Sequence, residues 1–420
     1  MVQTAIGWDI HRKFSKISIR QVDDTGELKV LGRHRLEHDD HDRMRAWLLK
    51  LPKGLPVAME AAFGWPWIAD MVEECGLEPH LAHPPAVRVL AKHQAKSDRC
   101  DSDRLGEFLL TGILPESFLA PPAVREFRER MRFRMTLSRW RTAIKNRATA
   151  IIHRHGIWHE YADLFGKRGR QFLQEVALPE AAKFALSSLL DMLGYVEGQI
   201  GKVEAWMTEQ LEQDEIVQLL SSIPGVGLVL SHVIKAEIGD IGRFPSSRHL
   251  ASYAGLAPVS NDSAERHGRR RCSQACNRTL RWALIEAANT TVRMSEKAPR
   301  LCNLYQRLTY RGRANKAQAK VAIAHELCKL VYAIWNKRQP YTATPPPRPG
   351  SDKALTVPAP KKQQANRHRK QNRSSTILTA QASTEACKAR CSRRAPKPPS
   401  GQPRHPMVRR QPKVDGQTRL

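Results

Sequence analysis

The sequence is short of acids. Asp and Glu number 41 against 69 Lys and Arg, leaving a formal net charge of +28 over 420 residues. A surplus of that size favours a polyanionic partner, because each phosphate neutralised by a cation releases condensed counterions. Nucleic acid is therefore the expected partner. The chain also lacks any run of about 18 apolar residues, which excludes a membrane-spanning helix of ordinary length. Its first residues, MVQTAIGWDIHRK, contain no basic segment followed by an apolar core, so they do not read as a signal peptide. A soluble, cytoplasmic protein is expected. Cysteine is sparse: of eight, only Cys272/Cys276 and Cys387/Cys391 lie close together. Neither pair has a second Cys/His pair at finger spacing, so a structural zinc site is not expected and reduced thiols are.

The chain exceeds what one hydrophobic core usually holds, and two or three folded units are expected. Thr4 to Asp9, Lys16 to Val22 and Leu28 to Leu36 read as three short strands. A helix from His41, a buried strand Pro56–Glu60, a helix from Trp65, a short strand at His80 and helix from Pro84 follow. Strands that meander and then alternate with helices predict an α/β domain of ribonuclease-H-like order over residues 1–118. Residues 119–215 predict a helical, coiled-coil-like linker. Its first helix carries apolar residues from Val124 to Ile151 at near-3.6 spacing and a dense row of arginines, among them Arg128, Arg132 and Arg139, with Lys145. Its second follows the 3,4 spacing of a coiled-coil seam from Leu186 to Met207, packing on itself or on another protomer. Residues 216–340 predict a mostly helical domain. Residues 341–420 hold 18 Lys and Arg against three acids and 12 of the 27 prolines, so this tail reads as disordered and non-specifically cationic.

Four acids stand out. Asp9 ends the first predicted strand and Glu60 the fourth, while Asp98 and Asp101 are three apart on a helix and share a face. Converging carboxylates make an oxygen-rich site suited to one or two Mg²⁺ ions, which stabilise attacking and leaving oxygens in phosphoryl transfer. Asp103 lies on another face. A second focus is Ile223 to Asn289. There Pro224-Gly225-Val226-Gly227 opens a helix, and Gly225 and Gly227 would let backbone N–H groups approach a phosphate, or simply join two helices. Ser246 or Ser247 reads as a helix N-cap and Gly255 as a C-cap. A polar loop then carries Ser260 and Ser263 into Arg266, Arg269, Arg270 and Arg271. A serine in such a loop is ordinarily solvated, and it needs a base or nearby cations to act as a nucleophile. The arginines could hold a scissile phosphate, with Asp262 and His267 as alternative proton acceptors.

GWDIHRK, VAMEAAFGWPW and AKSDRCDSDRLGEFL resemble the acidic motifs of the DEDD insertion-sequence transposases, whose N-terminal domain is similar to the RuvC resolvase. IPGVG, AEIGDIGRFPSSRHLASYAGLAP and NRTLRWALIEAA resemble, in order, the transposase domain of the same "one-ten" insertion-sequence group. The resemblance implies a DNA transposase or recombinase with metal ligands Asp9, Glu60, Asp98 and Asp101. It also implies a nucleophile from the loop after GLAP, which matches Ser263, followed here by Ala264 where the family commonly has glycine; Ser260 is the other serine. It implies a bridge RNA guiding donor and target DNA, a nucleoid-associated setting, and dimers pairing into a tetramer. Two readings compete with it: a resolvase using the carboxylates and water without a covalent intermediate, and a non-enzymatic nucleic-acid-binding protein.

Overall fold

The computed structural model describes residues 3–90, 98–259, 271–272, 275–312 and 314–343, with the backbone alone at 98–100, 258–259 and 271–272. These residues all fall in one unit, residues 1–345.

The chain begins with β1 (Gln3–Ile10), β2 (Phe14–Val22) and β3 (Leu28–Glu37), then α1 (His41–Leu48), β4 (Pro56–Glu60), α2 (Trp65–Glu74), β5 (Glu78–Ala82), α3 (Pro84–Leu90) and α4 (Asp98–Leu110). The five strands form one sheet in the order β3-β2-β1-β4-β5. β1 to β3 run antiparallel, and β4 and β5 run parallel to β1. This arrangement follows from the residue pattern. β1 is covered on both faces, burying Ala5, Ile6, Trp8 and Ile10, whereas β3 at the edge buries only Leu36. An apolar run suits a central strand and a largely polar one an edge.

Two long helices follow. α5 (Pro122–Arg154) and α7 (Glu180–Gln213) are joined through α6 (Lys167–Glu175). They pack against each other as an antiparallel hairpin: Leu137 and Ile144 meet Leu193, Val196 and Ile200, and further out Ala148 and Ile152 meet Leu186. The apolar seam from Leu186 to Met207 therefore packs within the chain. Gly194, Gly198 and Gly201 do not interrupt α7.

The C-terminal part comprises α8 (Glu215–Ser221), α9 (Leu228–Ile238), α10 (Ser247–Tyr253), the short strands β6 (Pro258–Val259) and β7 (Arg271–Cys272), α11 (Arg278–Thr291), α12 (Pro299–Thr309) and α13 (Lys316–Lys337). Its core also takes in Met131 and Met135 of α5 and Met207 of α7, so the base of the hairpin is part of it. α13 contributes Ile323, Ala324, Leu327, Cys328, Val331 and Trp335 to this core. Ser246 occupies the N-cap position of α10, but its hydroxyl contacts His249 Nδ1 at 2.9 Å instead of capping the backbone. At the other end of the hairpin base, Arg125 in the first turns of α5 donates to the Pro66 carbonyl at 3.2 Å and pairs with Asp70, which joins α5 to α2. Among the described residues no helix is long and apolar enough to cross a membrane. The tail beyond residue 343 lies outside the described residues.

Candidate active site

The parallel pairing of β1 and β4 sets Trp8 opposite Met59. Asp9 and Glu60 are each one residue further on, so Asp9, next to last in β1, and Glu60, last in β4, lie at the same edge of the sheet on neighbouring strands. Glu60 is in turn registered with Ala82, the last residue of β5. Opposite this edge lies α4, held at unusually short range. A Cβ on Gly7 would overlap the Ser102 carbonyl oxygen and come within 2.6 Å of the Gly106 nitrogen, so only glycine at position 7 lets helix and strand touch here. Ser102 adjoins Asp101, and that contact brings the Asp101 backbone up to the strand ends.

The electrostatics agree with this placement. Burial pushes the Glu60 carboxyl above the ordinary carboxylate range; Arg88 on α3 opposes the shift and the negative charge of Asp101 adds to it. His11 Nε2 lies 3.1 Å from Asp9 Oδ2, and Arg104 Nη1 donates to Asp101 Oδ1 at 3.0 Å. The side chain of Asp98, the first residue of α4, lies outside the described ones. Among the described residues no three His, Cys, Asp or Glu side chains form a ready-made metal cluster. The donor chemistry nonetheless suits a hard divalent ion: these are carboxylate oxygens, and one of them is destabilised by burial and by a like charge. Asp103 does face elsewhere. Burial would raise its carboxyl, but hydrogen bonds from Arg33 and Ser18 outweigh that and hold it below the ordinary range, with Arg33 Nη2 2.8 Å from Asp103 Oδ2.

Ser260, Ser263, Asp262, Arg266, His267, Arg269 and Arg270 lie outside the described residues, as does the side chain of Arg271. The two feet of that loop are described. At the first, β6 pairs antiparallel with β7, Val259 opposite Arg271. Arg281 of α11 donates to the carbonyls of Ala254 at 3.3 Å and Gly255 at 2.9 Å, just before β6. At the second foot, Asn277 caps α11 by accepting from Leu280 N at 2.9 Å. A cleft of about 540 Å³ brings this second foot, Cys276 to Thr279, together with His83 and Glu116 beyond the end of β5.

The comparisons with known proteins divide along the same lines. A DEDD transposase domain matches residues 6–156, the sheet, α4 and α5. The transposase IS116/IS110/IS902 family matches residues 217–306, from α8 across the loop to α12. The transposase of insertion sequence IS1328 from Yersinia enterocolitica is 25% identical over 283 residues, 66% of this chain and 83% of its own. A probable family 20 transposase from Pseudomonas aeruginosa is 25% identical over 310 residues, 71% of this chain and 89% of its own. A 44.8 kDa protein of insertion element IS116 from Streptomyces clavuligerus is 29% identical over 175 residues, and there the match spans 43% of that protein and 41% of this chain.

The chain belongs to the IS110 family of transposases.

In this IS110-family chain one residue of the AEIGDIGRF segment has a role that sequence reading missed. Glu237 on α9 is fully buried. Arg132 of α5 donates to its two oxygens, Nε to Oε1 and Nη2 to Oε2, each at 2.8 Å. Asn277 Nδ2 donates to Oε2 at 2.7 Å and to the Tyr253 hydroxyl at 3.0 Å. Arg128 Nε donates to the Ala236 carbonyl at 3.0 Å. One carboxylate thus links the second foot of the serine loop to the helix that leads out of the sheet domain. The available signal was an acid flanked by Ile234, Ala236 and Ile238 in an apolar helix, because a buried charge demands partners.

This revises the expected nucleic-acid contacts. Arg128 and Arg132 are committed to Ala236 and Glu237, and Lys145 lies 3.5 Å from Glu197 of α7. Of the four α5 cations singled out, Arg139 alone forms no ion pair among the described residues and is exposed. A run of charge in a sequence does not disclose acids that approach from distant segments. Gly225 is likewise structural: its φ is +92°, and a Cβ there would overlap Thr291 Oγ1 and lie 2.6 Å from the Ala287 carbonyl oxygen. Gly227 differs, since it is the N-cap of α9 and has open space in front of its Cα. It lines a cleft of about 950 Å³ with Lys297 and Tyr341, and remains available to a phosphate.

Proposed function

We propose that this IS110-family transposase cuts and joins DNA strands by covalent catalysis, with Ser263 as nucleophile and Asp9, Glu60, Asp98 and Asp101 as ligands for one or two Mg²⁺ ions. The observation that carries the reading is the convergence of Asp9, Glu60 and α4 at one sheet edge, enforced by the Gly7–Ser102 contact. The strand order β3-β2-β1-β4-β5, with β1–β3 antiparallel and β1, β4 and β5 parallel, supports a ribonuclease-H/RuvC-like domain. The cleft shared by the loop foot and the end of β5 supports a site composed of both regions.

In this reading the Ser263 hydroxyl oxygen forms a bond to the scissile phosphorus, and the bond from that phosphorus to the departing strand breaks. The serine proton passes to a base, Asp262 or His267, which hands a proton to the oxygen of the departing strand, so that strand leaves as a hydroxyl end. In the joining step a strand hydroxyl attacks the phosphoserine and the serine is released. Arg266, Arg269, Arg270 and Arg271 hold the phosphate and offset the charge developing on it. Bound Mg²⁺ polarises the phosphate and stabilises the oxygens that attack and leave. The family resemblance adds a guide RNA that pairs with donor and target DNA. Strand exchange requires several active sites at once, so the chains act as dimers that pair into a tetramer on DNA. Light scattering that finds a monomer both free and bound to nucleic acid would oppose that last point.

The deciding experiment combines full-length protein, Mg²⁺, guide RNA and matching DNA, and looks for a protein–DNA adduct on a denaturing gel. Ser263→Ala abolishes the adduct and Ser260→Ala retains it. If Ser263→Ala still cuts DNA at the native rate, the chemistry is that of a water-using resolvase. If Asp9→Ala and Glu60→Ala change nothing while salt-sensitive binding persists, the acids are surface groups and the enzymatic reading fails.

A further inference from the structure

The outer side of the helical hairpin carries a set of residues that the proposed chemistry does not use. From Arg130 to Arg154 the sequence of α5 contains eight Lys or Arg and no acid. Several of these are engaged: Arg132 and Arg134 pair with Glu237 and Glu204, Lys145 lies near Glu197, and Arg130 sits 4.2 Å over the Trp206 ring. Arg139, Arg147 and Arg154 are exposed and form no ion pair among the described residues. Aromatic rings stand among them. Phe133, Trp140, Arg147 and Arg154 recur at seven-residue intervals, so they form one row along the helix. Trp140 is 52% exposed.

At the tip, just past the end of α5, Trp158 is 82% exposed. Its ring lies 5.4 Å from that of His153, which is followed by His159 at 6.4 Å and Tyr161 at 6.2 Å in turn. His159 Nδ1 is shielded from solvent and has no hydrogen-bond partner among the described residues. Rings this exposed on a cationic surface are costly to leave in water, and they are the side chains on which unpaired bases stack. A second copy of the same row is a poor occupant, because like charges would face each other.

We propose that the outer row of α5 and the hairpin tip bind a single-stranded stretch of nucleic acid. Trp140 and Trp158 stack on unpaired bases, while Arg139, Arg147 and Arg154 hold the phosphodiester backbone. This rests on nucleic acid being the protein's substrate and adds which form of it the hairpin takes. A double-stranded segment does not fit the row, since its bases are stacked on each other and cannot reach the rings. The ligand chemistry, unpaired bases on a phosphodiester chain, is shared by RNA and DNA.

The test uses the full-length protein and Trp140→Ala, Trp158→Ala and the double variant, with binding read by fluorescence anisotropy. The probes are labelled single-stranded RNA, single-stranded DNA and duplex DNA of equal length. Single-strand affinity falls by about tenfold per tryptophan removed, duplex affinity is unchanged, and Trp→Phe at either site restores most of the loss. The RNA and DNA arms show which strand is preferred. Combined Arg139→Ala, Arg147→Ala and Arg154→Ala flattens the salt dependence of single-strand binding by about 2 in the log–log slope. The proposal is overturned if the double tryptophan variant binds all probes like the native chain, or loses single-strand and duplex affinity equally. It is also overturned if that variant changes only the oligomeric state in sedimentation, which would make the row a protein interface. Failure of this proposal leaves the serine adduct intact in the same variants, whereas failure of the transposase reading removes the adduct from the native protein.

Discussion

Gly7 of β1 lies directly against Ser102 of α4, so close that a methyl group at position 7 would overlap the Ser102 carbonyl oxygen. The contact fixes how near the α4 acids come to the strand ends that carry Asp9 and Glu60. Gly7→Ala therefore pushes α4 away from the sheet. The overpacking costs about 1–3 kcal/mol of stability in urea unfolding, and adduct formation drops with it. Gly106→Ala, whose Cβ would meet Gly7 N at 3.2 Å, is milder on both counts. A Gly7→Ala protein with native stability and native cleavage would refute this account of the site.

Glu60 links the site to pH. Burial, with Asp101 nearby, holds its carboxyl above the ordinary value of roughly 4.3. The folded state then prefers the protonated form, so the associated stability is full at low pH and is lost as pH rises through the raised value. In buffer with a chelator, Glu60→Gln melts higher than the native chain at pH 7, and the difference closes below pH about 4. Mg²⁺ raises the melting temperature of the native chain and has little effect on Glu60→Gln. Thermal melts over pH with and without Mg²⁺ check both parts; a Glu60→Gln protein that melts lower at pH 7 contradicts the sign.

The buried Glu237 carboxylate joins Arg132 on α5 to Asn277 at the foot of the serine loop. Glu237→Ala leaves Arg128, which is only 15% exposed, without its counter-charge, and leaves Asn277 with the Tyr253 hydroxyl as its acceptor in place of two. A loss of about 3 kcal/mol follows, at the low end for a broken buried pair because the Arg132 side chain remains half exposed to water. Glu237→Gln keeps an acceptor for Asn277 and loses less. Adduct yield at saturating DNA should fall more than DNA affinity in Glu237→Gln, since the carboxylate positions the loop without contacting DNA. Equal losses of both would make Glu237 a purely structural residue.

The tail supplies charge and no part of the described core. Ending the chain at Ala343 removes 18 cations and three acids. The melting temperature should stay unchanged, while affinity for random duplex DNA falls more than tenfold at low salt and its salt dependence flattens. A large drop in melting temperature would show that the tail packs on the folded part.

The sequence alone carried the strand and helix order, because apolar spacing records which faces are buried, and β4 at Pro56–Glu60 was legible to the residue. It also carried the acids at the strand ends, since a charge closing a buried strand is visible in one dimension. It could not decide which arginines of α5 face solvent. Arg128 and Arg132 read like Arg139, and only folding brings Glu237, 105 residues after Arg132, against them. Nor could it decide that the α7 seam is filled by α5 of the same chain, because 3,4 spacing specifies a partner face without naming the partner. The need for glycine at position 7 is a third case. Local periodicity is written in neighbouring residues, while close approaches and buried ion pairs arise between segments far apart in the chain, so only the tertiary structure decides them.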